Sequence, residues 1–150
     1  MSTNTTWNDR GLLMLRLALG AVFFMHGWQK LTMIGPAGVA GFLGSMGVPL
    51  PGLNALLLIG VELVGGLLVM TGAVTRVTAA LQVFAMLVAT LLVHLPNGFF
   101  LPNGVEFTLT LMLASLALTM TGPGRYSVDA MVFGSEPLRK LAPSYLRRAA

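Results

Sequence analysis

The sequence predicts an all-α membrane protein, a bundle of four transmembrane helices with N- and C-termini both cytoplasmic. Three observations carry that prediction. Nine residues are Lys or Arg and five are Asp or Glu, 9% of 150 against 55% hydrophobic. A soluble domain is about 25% charged, so these charges cannot cover a surface facing water. The apolar residues run in long blocks rather than stripes, with a mean hydropathy of +0.82, and the basic residues gather at block ends on one side. Together these exclude disorder, a compact soluble enzyme and a nucleic-acid module. The net charge of +4 is met by the lipid surface instead.

Each block can be justified in turn. Crossing a hydrocarbon core of roughly 30 Å takes about 20 apolar residues. Residues 11–31, 53–72, 74–95 and 105–121 meet or approach that length, the last carrying no charge after Glu106. Backbone groups in lipid are satisfied only in helices or closed barrels, and the absence of period-two alternation excludes a barrel. A signal peptide fits the first block poorly, because it is too long and holds Arg16, His26 and Lys30.

The connectors are equally distinct. Residues 35–52, GPAGVAGFLGSMGVPLPG, place Gly and Pro at helix-breaking intervals yet stay apolar, which predicts a re-entrant or interfacial segment lying back on the bundle. GAVTRV at 72–77 is a tight turn. Residues 96–104, PNGFFLPNG, hold two turn signals around Phe99 and Phe100, a pair suited to the headgroup level. The four-helix domain thus covers 1–124, and 125–150 is read as a basic cytoplasmic tail. Its Arg139–Lys140 and Arg147–Arg148 pairs would hold a surface helix to anionic lipid. With the termini inside, Arg10, Arg76, Arg125 and the four tail charges lie on one side and Lys30 alone on the other.

Ionisable residues within spans mark function by default. Arg16, Gly20, Phe23, Gly27 and Lys30 share one stripe of the first span, with His26 beside it. Glu62 sits near the middle of the second, and two readings of it stand side by side. It either forms a structural ion pair with Arg16 that locks the two spans, or handles protons, again with Arg16. At the outer end His26, Lys30, His94 and Glu106 converge with Asn97 and Asn103 around an apolar concavity, a candidate small-molecule site. A quinone headgroup suits it best, taking donors from His26, Lys30 and His94. Haem on His26 and His94, or copper or zinc on those histidines with Glu106, has less spacing support. No metal site is assigned, the ten methionines read as packing, and the absence of cysteine removes thiolate chemistry.

The blocks RLALGAVFFMHGWQKL, GFLGSMGVPLP, VELVGGLLVMTGAVTR, HLPNGFF and GPGRYSVDA, in that order, resemble the DoxX family of small bacterial membrane proteins. The resemblance runs from about Leu12 to Val132. Its matching positions are Arg16, His26, Gly27, Lys30, Glu62, Gly65, Gly66, Arg76, His94, Pro96, Asn97 and Gly98. It implies a four-helix protein of the bacterial inner membrane associated with oxidoreductase systems; the family takes its name from a subunit of a thiosulfate:quinone oxidoreductase. The leading expectation is therefore a quinone-linked membrane subunit working with a soluble redox partner. A non-catalytic anchor or assembly factor, and a small proton or solute carrier built as a homodimer, are the competing classes.

Overall fold

A computed structural model describes residues 3–133. Among them the chain is helical: α1 Thr3–Gln29, α2 Pro36–Ser45, α3 Pro51–Thr71, α4 Thr75–Ala89, α5 Glu106–Thr121 and α6 Val128–Phe133. α1 widens into a π turn over Lys30–Ile34, and α4 does the same over Thr90–His94 before a 3-10 turn at Leu95–Asn97. With those extensions, Thr6–Ile34, Pro51–Thr71 and Thr75–Asn97 are each long and apolar enough to cross a membrane. Glu106–Thr121 is apolar but shorter, about 24 Å at 1.5 Å per residue.

The long helices run up, down, up and down. α1 and α3 approach so closely that their backbones touch. A Cβ on Gly66 would stand 2.5 Å from the Phe24 nitrogen and 2.7 Å from the Gly20 carbonyl, and Gly27 meets Leu63 in the same way. Small residues permit such contact between membrane helices, where apolar surface alone gives no drive to associate. α4 and α5 form the second antiparallel pair. The interior is closed by Leu19 and Phe23 of α1, Val69 of α3, Ala79 and Met86 of α4, and Leu111 and Leu118 of α5. Leu56, Leu57, Val64, Leu67, Phe84, Leu113 and Met120 are exposed on the outside, as lipid-facing positions should be.

The structure corrects the reading of 35–52 as a stretch of helix breakers. Pro36 and Pro51 each stand in the first turn of a helix, where a missing N–H costs nothing and a fixed φ favours the helical start. α2 then packs on α3 through Val39, Ala55 and Ile59. The first residues of the proposed tail, through Phe133, close one end of the bundle. The pairs at 139–140 and 147–148 lie outside the described residues.

Candidate functional site

The polar side chains fall into groups at the two ends of the bundle: the loop end, where α1 finishes and α5 begins, and the terminal end, where α1 begins and α5 finishes. At the loop end Lys30 Nζ lies 2.7 Å and 2.9 Å from the two carboxylate oxygens of Glu62. The Glu62 side chain is 4% exposed and that of Lys30 22%. The expected Arg16–Glu62 pair does not form. In the antiparallel register set by Gly20, Gly27 and Gly66, Glu62 comes level with the last turn of α1, and Lys30 is the cation on its stripe.

His26 stands one turn before Lys30 and is half-buried. Its ring lies 5.8 Å from that of Phe107 at 45°, and it makes no hydrogen bond among the described residues. It lines an open groove of about 250 Å³ with Met25, Trp28, Gln29 and Met33. Trp28 in turn stacks on Phe24 at 6.5 Å. The groove thus offers an aromatic and thioether wall, an imidazole and an amide, with a charge pair one turn away.

The other predicted site residues are occupied with their own loop. His94 Nδ1 donates to the Asn103 carbonyl at 2.8 Å, Asn97 donates to Val93 at 2.9 Å, and Glu106 accepts the Leu101 N–H at 2.8 Å. They satisfy a turn-rich segment that no helix pairs. The convergent pocket expected from the sequence therefore divides into His26 with the Lys30–Glu62 pair, and a self-bonded loop beside it. Among the described residues no group of three or more His, Cys, Asp or Glu could hold a metal ion.

Arg16 belongs to the terminal end. It is fully buried and donates to the Tyr126 carbonyl. Gly72 makes room for it: the guanidinium and Ser127 occupy the space a side chain would need, and φ there is +73°. Asp129 accepts the Val74 and Thr75 N–H groups at 2.7 Å and 2.9 Å, capping α4 from more than fifty residues away. Asp9 accepts the Arg125 N–H at 3.0 Å, and Arg76 donates to the Thr119 and Met120 carbonyls at 2.9 Å each. Sequence reasoning singled out neither Asp9 nor Asp129, whose partners are distant backbone groups. It also passed over Thr75, Thr78 and Gln82, although their i, i+3, i+7 spacing puts a polar stripe on the inner face of the third span.

The DoxX family model matches residues 11–95. Over 123 residues the chain is 36% identical to "Putative oxidoreductase CatD" of Bacillus subtilis, covering 82% of this chain and 87% of that one. It is 36% identical to inner membrane protein YqjF of Escherichia coli, over 83% of this chain and 93% of the relative. With inner membrane protein YphA of the same organism the identity is 31%, over 79% and 87%. No solved structure matches the chain.

Proposed function

From the premise that this chain belongs to the DoxX family and is a multi-pass protein of the inner membrane, we propose that it is the quinone-facing subunit of an oxidoreductase system. The observation that carries the reading is His26, an imidazole with hydrogen-bonding nitrogens unused among the described residues in an apolar groove, one turn from a half-buried Lys30 paired with the buried Glu62. A quinone needs an apolar slot for its ring and donors to its carbonyls. Met25, Trp28 and Met33 supply the slot, His26 and Gln29 the donors, and Lys30 with Glu62 exchange the proton that accompanies reduction. The relative named as an oxidoreductase favours the same class. Without cysteine the chain has no thiol couple of its own, so in this reading electrons arrive from a partner protein.

Trp28 provides the test. The only other tryptophan is Trp7, so a Trp7→Phe chain in nanodiscs reports from the groove alone. A soluble quinone analogue should quench Trp28 fluorescence saturably. His26→Ala should weaken the midpoint about tenfold, the worth of one good hydrogen bond. Quenching that rises linearly with quinone, and equally in both chains, would show lipid partitioning only and end the proposal.

A further inference from the structure

Eight buried side-chain polar atoms have no hydrogen-bond partner among the described residues: Asp9 Oδ2, Arg16 Nε and Nη1, Thr75 Oγ1, Arg76 Nε, Gln82 Oε1 and Nε2, and Ser115 Oγ. Their distribution is one-sided. All lie between mid-bundle and the terminal end. Toward the loop end the interior is paired, as where Thr90 Oγ1 donates to Thr108 Oγ1 at 2.9 Å.

Four of these residues, Arg16, Thr75, Gln82 and Ser115, are 0% exposed. Lipid can supply no partner to them, and buried polar groups in proteins are satisfied by protein or by ordered water. On α4 the polar positions form a ladder along the inner face, Thr75, Thr78 and Gln82, which Met86 ends. Its first step, about 4.5 Å along the axis, is within the roughly 5.6 Å that a single water bridging two groups spans. The second, about 6 Å, is shortened because the long Gln82 side chain leans toward the helix N-terminus and so toward Thr78. The foot of the ladder is at the end where Arg16 and Asp9 have unused donors and an unused acceptor. Its head lies beside Gly65, whose missing Cβ would stand 3.5 Å from Gln82 Nε2. Gly65 is one turn from Glu62 on the inner face of α3.

We propose that the bundle interior is hydrated on one side only. A thread of water runs from Asp9 and Arg16 along Thr75 and Thr78 to Gln82 and Ser115, and gives Glu62 its contact with the aqueous phase at the terminal end. Charge selects the ligand. Lys30 already neutralises Glu62, His26 on α1 is the other titratable group near the pair, and neither α2 nor the inner face of α4 brings a charge to it. The head of the thread therefore takes a neutral molecule that both donates and accepts, as the Gln82 amide and the Ser115 hydroxyl do. The inference rests on the preceding reading only for the use made of the proton, not for the presence of water.

The cysteine-free sequence permits a direct test without quinone. Thr75→Cys and Ser115→Cys place a thiol on the thread, Thr90→Cys and Thr108→Cys in the paired half. Each chain in liposomes is treated with silver ion, a thiol reagent of nearly water size, and the surviving thiols are counted. Thr75→Cys and Ser115→Cys should react at least about tenfold faster, as expected of hydrated against closed positions. Equal rates, or Ser115→Cys as slow as Thr108→Cys, overturn the proposal. The native chain gives a second measurement free of any folding defect. In deuterated buffer the Gln82 side-chain N–H signals should vanish from solid-state NMR spectra while the Leu118 amide persists; their retention alongside Leu118 also overturns it. Both results are independent of His26, so the thread and the quinone groove can fail separately.

Discussion

Removing Lys30 strands the buried Glu62 carboxylate among apolar helices. The loss of a buried partner costs about 3–5 kcal/mol, more than the pair itself contributes over an apolar replacement. Lys30→Met should therefore destabilise the bundle by about that amount in a detergent-unfolding titration, and Lys30→Met with Glu62→Met should recover most of it. A double variant as weak as the single one would show that stranded charge is not the cause. At the terminal end the equivalent position is Gly72. Alanine there must adopt the +73° φ and expel the Arg16 guanidinium, so Gly72→Ala should cost about 2 kcal/mol or more in the same assay. The sequence made Arg16 and Glu62 legible as polar residues inside the bundle, with Lys30 at its edge, because so few charges lie inside the spans. It did not reveal who pairs with whom. Depth counted from the span ends placed Arg16 within reach of Glu62, but the glycine contacts slide α3 along α1 and deliver Lys30 instead.

Elements are held by contacts of two kinds, and each makes its own prediction. The α1–α3 seam is backbone against backbone at Gly66, whereas a Cβ added to Gly60 on the same helix would meet nothing within 4 Å. Gly66→Ala should force the helices apart at a cost of about 1–3 kcal/mol. Gly60→Ala should be neutral or stabilise by up to about 1 kcal/mol, because alanine is the better helix former. Unfolding midpoints that move together would contradict the close seam. At the loop end Glu106→Ala removes the acceptor of the Leu101 N–H; hydrogen exchange at Leu101 should then quicken about tenfold, as a lost bond of about 1.4 kcal/mol implies. The four apolar blocks could be read as elements because hydropathy alone writes them. α2 could not, since Pro36, which initiates it, carries the same letter as a proline that stops a helix. Nor could the roles of His94, Asn97 and Glu106 be read there, because a polar residue that satisfies its own loop has the same composition signal as one that awaits a ligand.

For the whole molecule, the packing joins the two halves of the charge argument for orientation. Asp9 bonded to Arg125, and Arg76 bonded to the last carbonyls of α5, put Arg10, Arg76 and Arg125 at one end of the bundle. At the loop end the lone Lys30 is turned inward onto Glu62. The positive-inside rule acts on Lys and Arg near span ends, so the terminal end is the one expected to stay in the cytoplasm. A fluorescent protein fused after Ala150 should therefore be bright, and alkaline phosphatase fused at the same place inactive. Phosphatase joined within residues 98–104 should instead be active. The reverse pattern would refute the orientation and would also change the meaning of the one-sided interior. With the predicted orientation, the proposed water thread between Asp9 and Gln82 would open Glu62 to cytoplasmic protons while the His26 groove would lie toward the opposite face. A proton taken up on one side would then meet a quinone held near the other, which is the arrangement a membrane redox subunit needs if reduction of its quinone is to draw on cytoplasmic protons.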